Sequence, residues 1–239
     1  MTRSCDGETP GDAAVESILL AGGFSRRFGD REKLTAVLAG EPMVRRVART
    51  VEPLSRRIVV SCRREQRDGL ATALSATEDD ERDVPVSFAF DDRPDGGPLA
   101  GLASSVDEIG EDVDGTLVIG GDFPLVRTAA FETLLGALGG EFGDGEPVDA
   151  ALPSVDGRRQ PLCAACRTDA LRASLAAVET PYNRAVLAAF DSLSVRTVPA
   201  GKLPGGNASF RNVNTPADLR ELARAIESDT PIAAAEAEQ

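Results

Sequence analysis

Histidine is absent from the 239 residues of this chain. Its absence excludes Ser-His-Asp triads, histidine general acids and bases, and metal sites with imidazole ligands. Any bound metal ion must therefore be held by carboxylate or thiolate groups. The chemistry of a catalytic site has to come from Asp, Glu, Lys, Arg or Cys side chains, or from backbone groups.

Aromatic residues are also scarce. The chain has no tryptophan and one tyrosine, while hydrophobic residues make up 42% of it. A core must therefore be built mainly from Leu, Val, Ile and Ala. A single α/β domain can reach this length and bury such a core. We expect one domain over residues 15–227, with disordered tails at residues 1–14 and 228–239.

Lysine occurs only at Lys33 and Lys202, and the formal net charge is −13. A nucleic-acid-binding protein normally presents a basic face, so the charge argues against that class. An acid-rich, lysine-poor composition resembles the surfaces of proteins from halophilic archaea. In a chain that almost excludes lysine, we expect Lys33 to lie where its ammonium group is needed.

Long apolar runs are missing as well. No stretch approaches the roughly 20 apolar residues that a membrane-spanning helix needs. The first residues are polar and have no apolar segment of the kind found in a signal peptide. We therefore expect a cytoplasmic protein without a membrane partner.

The four cysteines are Cys5, Cys62, Cys163 and Cys166. The C-x-x-C spacing of Cys163 and Cys166 could indicate a zinc site or a redox pair. A zinc site needs further ligands, and a C-x-x-C redox pair is expected at the N-terminus of a helix. The surrounding P-L-C-A-A-C-R is typical of a buried strand. We expect small core residues in a reducing compartment.

Short apolar segments alternate with segments of helical periodicity. The predicted strands cover residues 15–21, 57–62, 84–90, 115–120, 148–153, 160–166, 193–198 and 210–213. The predicted helices cover residues 42–53, 65–76, 99–109, 128–138, 168–178 and 183–190, followed by a last helix from residue 215. Thr128 and Thr215 are the predicted N-caps. The alternation predicts an α/β fold with a doubly wound, mostly parallel sheet.

A glycine-rich segment follows the first predicted strand. Residues 17–33 read S-I-L-L-A-G-G-F-S-R-R-F-G-D-R-E-K. Glycines allow backbone N–H groups to approach a phosphate, and Arg27 and Lys33 could pair with its oxygens. The segment is neither a Walker loop nor a dinucleotide-binding fingerprint. The alternative interpretation is an ordinary strand-to-helix turn with charged surface residues.

Carboxylates follow two further predicted strands. Asp91 and Asp92 end one strand, and Asp122 follows another after two glycines that would let a substrate come close. In parallel sheets such strand ends lie at one rim, where ligands bind. Mg²⁺ that accompanies a triphosphate needs few protein carboxylates, and Asp122 is the first candidate. The alternative for Asp122 is an Asx turn or a helix cap.

Four motifs together resemble the MobA-like nucleotidyltransferases, which include the molybdenum cofactor guanylyltransferases. They are L-A-G-G-F-S-R-R-F-G-D-R-E-K, D-D-R-P-D-G-G-P-L-A-G, G-D-F-P-L and R-N-V-N-T-P-A-D-L, and they span nearly the whole chain apart from its tails. The resemblance implies a Rossmann-like nucleotidyltransferase fold. It implies GMP transfer from GTP to the terminal phosphate of molybdopterin, with pyrophosphate as the other product.

The resemblance also implies roles for individual residues. Nucleotide binding falls to Leu20, Ala21, Gly22, Gly23, Lys33, Asp91 and Asp122. Catalysis falls to Arg27, Lys33 and Asp122, with Asp122 as the Mg²⁺ ligand, and pterin binding falls to Asn212 and Asn214. For the two asparagines, the alternative is a hydrogen-bonded turn before the last helix.

Several alternatives stay open at this point. Gly22 and Gly23 favour guanine, whereas Phe28 and Ser61 depart from the family pattern and weaken the base assignment. A cytidylyl, cobinamide-phosphate or sugar-phosphate transferase would use the same loop, and a non-catalytic GTP-binding module is the rival from another class. Protein partners of the implied enzyme would be other cofactor-biosynthesis proteins or an apo-molybdoenzyme.

Overall fold

The computed structural model describes residues 13–22, 28, 33–75, 84–90, 96–179, 181–182 and 185–227. The strands are β1 (Val15–Leu20), β2 (Val37–Leu38), β3 (Glu41–Pro42), β4 (Ile58–Cys62), β5 (Val86–Phe90), β6 (Gly115–Gly120), β7 (Ala150–Val155), β8 (Arg158–Arg159), β9 (Cys163–Arg167) and β10 (Val195–Pro199). The helices are α1 (Met43–Val51), α2 (Arg67–Leu74), α3 (Pro98–Val106), α4 (Thr128–Gly136), α5 (Thr168–Ala176), α6 (Gly206–Ser209) and α7 (Pro216–Glu227).

The main sheet has the strand order β10-β7-β9-β6-β1-β4-β5, with β8 paired to β7. Neighbouring strands along this order run parallel except at β9, which is antiparallel to both β6 and β7. Because β6 and β7 are both antiparallel to β9, they run in the same direction as each other, and β1 and β10 share that direction. The prediction of a mostly parallel, doubly wound sheet is confirmed. We call the edge where these parallel strands end the carboxyl rim.

The first strand, β1, lies inside the sheet between β4 and β6. Leu20 at its end pairs with Ser61 of β4 and Gly120 of β6, so three strand ends are level. All residues of β4 and β6 are buried. Strands covered on both faces read as continuous apolar runs, which is why the sequence shows them so clearly.

Helices cover both faces of the sheet. A first hydrophobic cluster includes Val47 of α1 and Phe131 of α4. A second cluster includes Leu102 of α3 and Leu171 of α5. The sheet is therefore the middle of three layers, and its two faces are closed by different helices.

Thr128 does not cap α4 as predicted. It is the first residue of the helix, and the N-cap position belongs to Arg127, which is extended. The Thr128 hydroxyl donates a hydrogen bond of 2.8 Å to the carbonyl oxygen of Thr50 at the end of α1. A contact between two helices thus replaces the local bond that the sequence suggested.

The predicted strand at residues 210–213 is also wrong. This segment is irregular, and α6 lies just before it. A backbone bond from Val213 N to Asp122 O, 2.9 Å long, attaches the segment to the end of β6. Within the predicted helix 183–190, the described residues form a 3-10 helix, Val186–Phe190, and residues 183 and 184 lie outside the described residues.

The turn between β7 and β8 has the predicted position. Asp156 has a φ of 49° and Gly157 a φ of 77°. Two successive residues with positive φ are typical of the tight hairpin turns that suit twisted strands, and glycine and aspartate accept that geometry better than most residues. The turn brings β8 back beside the end of β7, at the carboxyl rim.

Over the described residues, no helix combines the length and the apolar character that crossing a membrane requires. The predicted tails, residues 1–14 and 228–239, lie almost wholly outside the described part, so these boundaries stay predictions.

Candidate active site

Lys33 and Asp122 meet at the carboxyl rim. Lys33 Nζ lies 3.0 Å from Asp122 Oδ2, although the residues are 89 positions apart. Their side chains are 15% and 21% exposed, so the pair is reachable from solvent but largely shielded. Charges interact more strongly in such a place than on an open surface. The structure therefore brings together two of the three residues predicted to be catalytic.

A leucine fixes the position of Lys33. Leu34 is buried, and a Cβ atom added at Gly121 would lie 2.9 Å from Leu34 Cδ1. Gly121 N also donates a hydrogen bond of 3.0 Å to Leu20 O. The leucine can pack here because residue 121 has no side chain. The start of the Lys33–Thr35 turn is thereby held against the ends of β1 and β6.

Gly120 makes room for the Asp122 carboxylate. A Cβ atom at Gly120 would lie 2.9 Å from Asp122 Oδ1 and 3.1 Å from the Phe123 ring. The carboxylate therefore folds back over the last residue of β6. The sequence suggested that both glycines admit a substrate, whereas the structure uses them to pack Leu34 and to aim Asp122.

The predicted nucleotide loop begins at the end of β1. Ala21 N donates a hydrogen bond of 2.7 Å to Ser61 O, and Gln66 Nε2 donates one of 3.4 Å to Ala21 O. Ala21 is buried, while Leu20 and Gly22 are partly exposed. These bonds join the loop to β4 and to the turn that precedes α2.

Four other predicted positions lie outside the described residues. They are Gly23, Arg27, Asp91 and Asp92. The strands or turns that flank them end at the carboxyl rim, since β1 ends at Leu20 and β5 at Phe90.

The helix α3 begins beside this loop. Its N-cap is Gly97, with a φ of 82°, and its first residue is Pro98. A Cβ atom at Gly101 would lie 2.6 Å from Ser61 Oγ, so the helix approaches β4 more closely than an alanine would permit. The N-terminus of a helix favours anions, which suits a position next to the predicted phosphate-binding loop.

The two predicted pterin-binding residues lie on the irregular segment attached to Asp122. Asn212 is exposed and Asn214 is partly exposed, on either side of the buried Val213. Within the described part of the chain, neither side-chain amide makes a hydrogen bond. Both amides are thus available to a ligand near the Lys33–Asp122 pair.

Asp218 orders this segment from the first turn of α7. Its Oδ2 accepts N–H bonds from Asn214 at 2.9 Å and Thr215 at 2.8 Å, and Thr215 Oγ1 accepts the Asp218 N–H at 3.1 Å. This reciprocal pattern is a capping box, and it confirms Thr215 as the N-cap. Burial by itself raises the pKa of Asp218, but these donors and Arg211 outweigh it and lower the pKa from its ordinary 3.8.

Cys163 approaches the site from β9. Burial raises the pKa of its thiol well above the ordinary value, and the nearby Asp122 carboxylate raises it further. A protonated thiol is a weak nucleophile. Cys62, Cys163 and Cys166 are all buried free thiols, which confirms the prediction of small core residues.

The described residues contain no group of three His, Cys, Asp or Glu side chains that could hold a metal ion. Asp122 is a single accessible carboxylate at a strand end. Magnesium bound together with a triphosphate takes most of its ligands from phosphate oxygens and water. The arrangement therefore fits an ion that arrives with a nucleotide.

Residues 17–195 match the family of MobA-like NTP transferase domains. The chain belongs to this family. A relative from Haloferax mediterranei, named "Probable molybdenum cofactor guanylyltransferase", is 33% identical over 88% of this chain and 94% of its own length. A relative of the same name from Natronomonas pharaonis is 29% identical over 84% and 93%. Both organisms are halophilic archaea, in agreement with the composition.

Solved structures agree with the family assignment. Molybdopterin-guanine dinucleotide biosynthesis protein A from Archaeoglobus fulgidus is 25% identical, with a TM-score of 0.65 over 89% of this chain and 99% of that protein. The 4-diphosphocytidyl-2C-methyl-D-erythritol synthase from Anaerococcus prevotii has a TM-score of 0.64 at 13% identity, which shows the shared fold alone. The predictions of a Rossmann-like nucleotidyltransferase fold and of a nucleotidyltransferase enzyme are confirmed.

Proposed function

We propose that this protein transfers GMP from GTP to the terminal phosphate of molybdopterin, forming the guanine dinucleotide cofactor and pyrophosphate. Relatives named for this activity match over nearly their whole length, which supports the substrate class. The structural observation that carries the proposal is the Lys33–Asp122 pair, 3.0 Å apart at the end of the predicted nucleotide loop.

The nucleotide would lie across the ends of β1, β4 and β6. In this proposal, the backbone of residues 20–23 and the N-terminus of α3 surround it, and Asp91 contacts it from the end of β5. Arg27 and Lys33 pair with the triphosphate. Arginine offers a planar fork to the oxygens, and lysine offers a compact charge.

The reaction is an in-line displacement at the α-phosphorus of GTP. An oxygen of the acceptor's terminal phosphate forms the new P–O bond, and the bond to the β-phosphate oxygen breaks, so pyrophosphate leaves with the electron pair. The attacking group is already an anion, so no side chain has to remove a proton. Catalysis then consists of positioning and of neutralising charge on the leaving group.

Asp122 is the residue that would hold Mg²⁺ here. When bound, the ion neutralises phosphate charge and orients the triphosphate. Without nucleotide, the Lys33 ammonium neutralises the Asp122 carboxylate. Binding of the triphosphate would give Lys33 a new anionic partner, so that the pair opens as the substrate enters.

The acceptor would lie on the side of Asp122 where residues 211–214 are attached. Asn212 and Asn214 present amides, which can both donate and accept hydrogen bonds and so match the edges of a pterin ring. The cytoplasm stays the expected compartment and cofactor-biosynthesis proteins the expected partners. Cell fractionation and co-purification would test these two points.

The deciding experiment measures pyrophosphate release with Mg²⁺ and each of the four nucleoside triphosphates, with and without molybdopterin. We expect release with GTP that depends on the pterin. Selective use of CTP would move the protein to cytidylyl transfer. GTP binding without pyrophosphate release from any acceptor would contradict the proposal and indicate a binding module.

A further inference from the structure

Four cationic side chains in the described part of the chain make no hydrogen bond, ion pair or ring contact. They are Arg127, Arg158, Arg159 and Lys202. With 39 acidic residues against 26 basic ones, carboxylate partners are plentiful in this protein. A cation that stays unpaired in such surroundings is a candidate for binding an external anion.

All four cations lie at the carboxyl rim, in the half of the sheet that contains β6, β7 and β10. Arg127 lies between β6 and α4, the pair Arg158–Arg159 forms β8 after the β7 turn, and Lys202 lies in the 3-10 turn after β10. Because β6, β7 and β10 point the same way, the connections that follow them share one edge of the sheet. This is the edge to which residues 211–214 are attached.

Arg127 lies against the loop that leads into that segment. A Cβ atom at Gly205 would lie 3.3 Å from Arg127 Nε and 1.8 Å from Ser209 Oγ. Gly205 has a φ of 91°, a conformation that also favours glycine. The absence of a side chain at Gly205 therefore leaves space for the arginine beside α6.

The hairpin presents its two arginines to opposite sides. Val155 packs against the first hydrophobic cluster, and it pairs directly with Arg158. Directly opposed residues share a face of the sheet, so Arg158 lies on the side of Arg127 and α4. Arg159 pairs with Ser154 and lies on the other face.

Lys202 belongs to the same side as Arg158. Its neighbours Ala200 and Leu203 are buried in the first cluster, so the turn that carries Lys202 covers that face. Asn207 Nδ2 lies 3.5 Å from Asp156 Oδ1, which places α6 beside the hairpin turn. Asp156 lies two residues before Arg158 in the sequence, but its carboxylate contacts Asn207 and forms no ion pair with Arg158 or Arg159.

We propose that Arg127, Arg158 and Lys202 bind the terminal phosphate of the acceptor before it attacks the nucleotide. The inference rests on the proposed function and adds binding residues that the motifs do not contain. A phosphate monoester carries about two negative charges and accepts paired hydrogen bonds from a guanidinium. Hydrogen-bonded contacts of this kind are screened by salt far less than distant charges are.

The test compares steady-state kinetics of the native protein with Arg127→Ala, Arg158→Ala and Lys202→Ala. We expect Arg127→Ala to raise the KM for the acceptor about tenfold, because the variant loses a charge-assisted hydrogen bond to the phosphate. We expect smaller rises for Arg158→Ala and Lys202→Ala and an unchanged KM for GTP. Arg127→Lys should recover part of the affinity, because it keeps the charge without the fork.

Arg159→Ala is the matched control, since it removes the same charge from the other face of the same hairpin. Its acceptor KM should equal that of the native protein. GTP binding without acceptor, measured for each variant, shows that the fold and the nucleotide site are intact.

Distinct results would overturn the inference and the proposed function. An unchanged acceptor KM in all three variants, or an equal rise in Arg159→Ala, would overturn the inference alone. A rise in the KM for GTP would assign these cations to the nucleotide and would also overturn it. If the native protein does not turn over GTP with molybdopterin, the proposed function fails and the inference fails with it.

Discussion

The Lys33–Asp122 ion pair is the feature whose removal should affect the reaction most. Lys33→Ala removes a charge that we propose neutralises the leaving group. Asp122→Asn removes the carboxylate proposed to hold Mg²⁺ but keeps a side chain of the same shape. Each should lower kcat by about 100-fold or more, as loss of a preorganised charged group does elsewhere. Pyrophosphate release at saturating GTP measures the effect.

Arg49→Ala serves as the control for both changes. Arg49 is 57% exposed and pairs with Glu41, and an exposed pair contributes little to stability. This variant should keep native turnover. Near-normal turnover in Lys33→Ala or Asp122→Asn, with native circular dichroism, would remove both residues from the proposed mechanism.

The same residues show what a sequence can reveal about single side chains. Lys33 and Asp122 could be predicted because one is nearly the only lysine and the other follows a buried strand. Their direct contact could not, since it depends on Leu34 packing into the space left by Gly121. The absence of an ion pair at Arg127 could not be predicted either, because it depends on how far the fold places each carboxylate from this arginine.

Among the helices, α3 should be the most sensitive to one added methyl group. In Gly101→Ala the new Cβ atom would lie 2.6 Å from Ser61 Oγ, so α3 or β4 has to move. We expect a loss of about 1–3 kcal/mol in the free energy of unfolding, as for other overpacked cores. Urea unfolding followed by circular dichroism measures it.

A second substitution tests the cause of that loss. Ser61→Ala removes the hydroxyl and leaves the Ser61 Cβ position, which is 3.7 Å from the added atom. The double variant should therefore recover most of the lost stability. If the two losses simply add, the contact between Ser61 and Gly101 does not limit the approach of α3.

The start of α7 carries a prediction about pH. The pKa of Asp218 is lowered in the folded protein, so its carboxylate form stabilises the fold. This contribution is fully present above the unfolded pKa of about 4 and is lost as the pH falls through the folded value. Asp218→Ala should thus cost about 1 kcal/mol near neutral pH, as lost caps do, and progressively less in acid.

Urea unfolding of native and Asp218→Ala protein at several pH values measures this difference. A gap between the two proteins that stays constant down to the acid limit would contradict the prediction, because it would not depend on the charge of Asp218. Asp169→Ala is a suitable control, since Asp169 lies in the first turn of α5 and is exposed.

The alternation of strands and helices was predictable because β1, β4 and β6 each contain a short uninterrupted apolar run, at residues 18–20, 58–60 and 117–119. The prediction of a strand at residues 210–213 was wrong because Phe210 and Val213 are buried without belonging to a strand. Both belong to the first cluster and anchor an irregular segment against the helices. Local apolar content cannot distinguish a strand from such an anchor, since both bury side chains.

For the protein as a whole, the net charge of −13 should make stability depend on salt. Like charges repel in the compact state, and dissolved ions screen that repulsion. We expect the Tm to rise as KCl increases from about 0.1 M to above 1 M, where the Debye length falls to about 3 Å. A Tm that is independent of KCl over this range would contradict the prediction.

The central place of β1 also has a consequence for how the protein is made. Val15 lies opposite Gly115 of β6. One edge of β1 therefore has no pairing strand until the ribosome has added about a hundred more residues. At typical translation speeds this delay is on the order of ten seconds. During that time one edge of β1, next to the predicted nucleotide loop, is unpaired and accessible to other nascent chains, and we expect a chaperone to bind there.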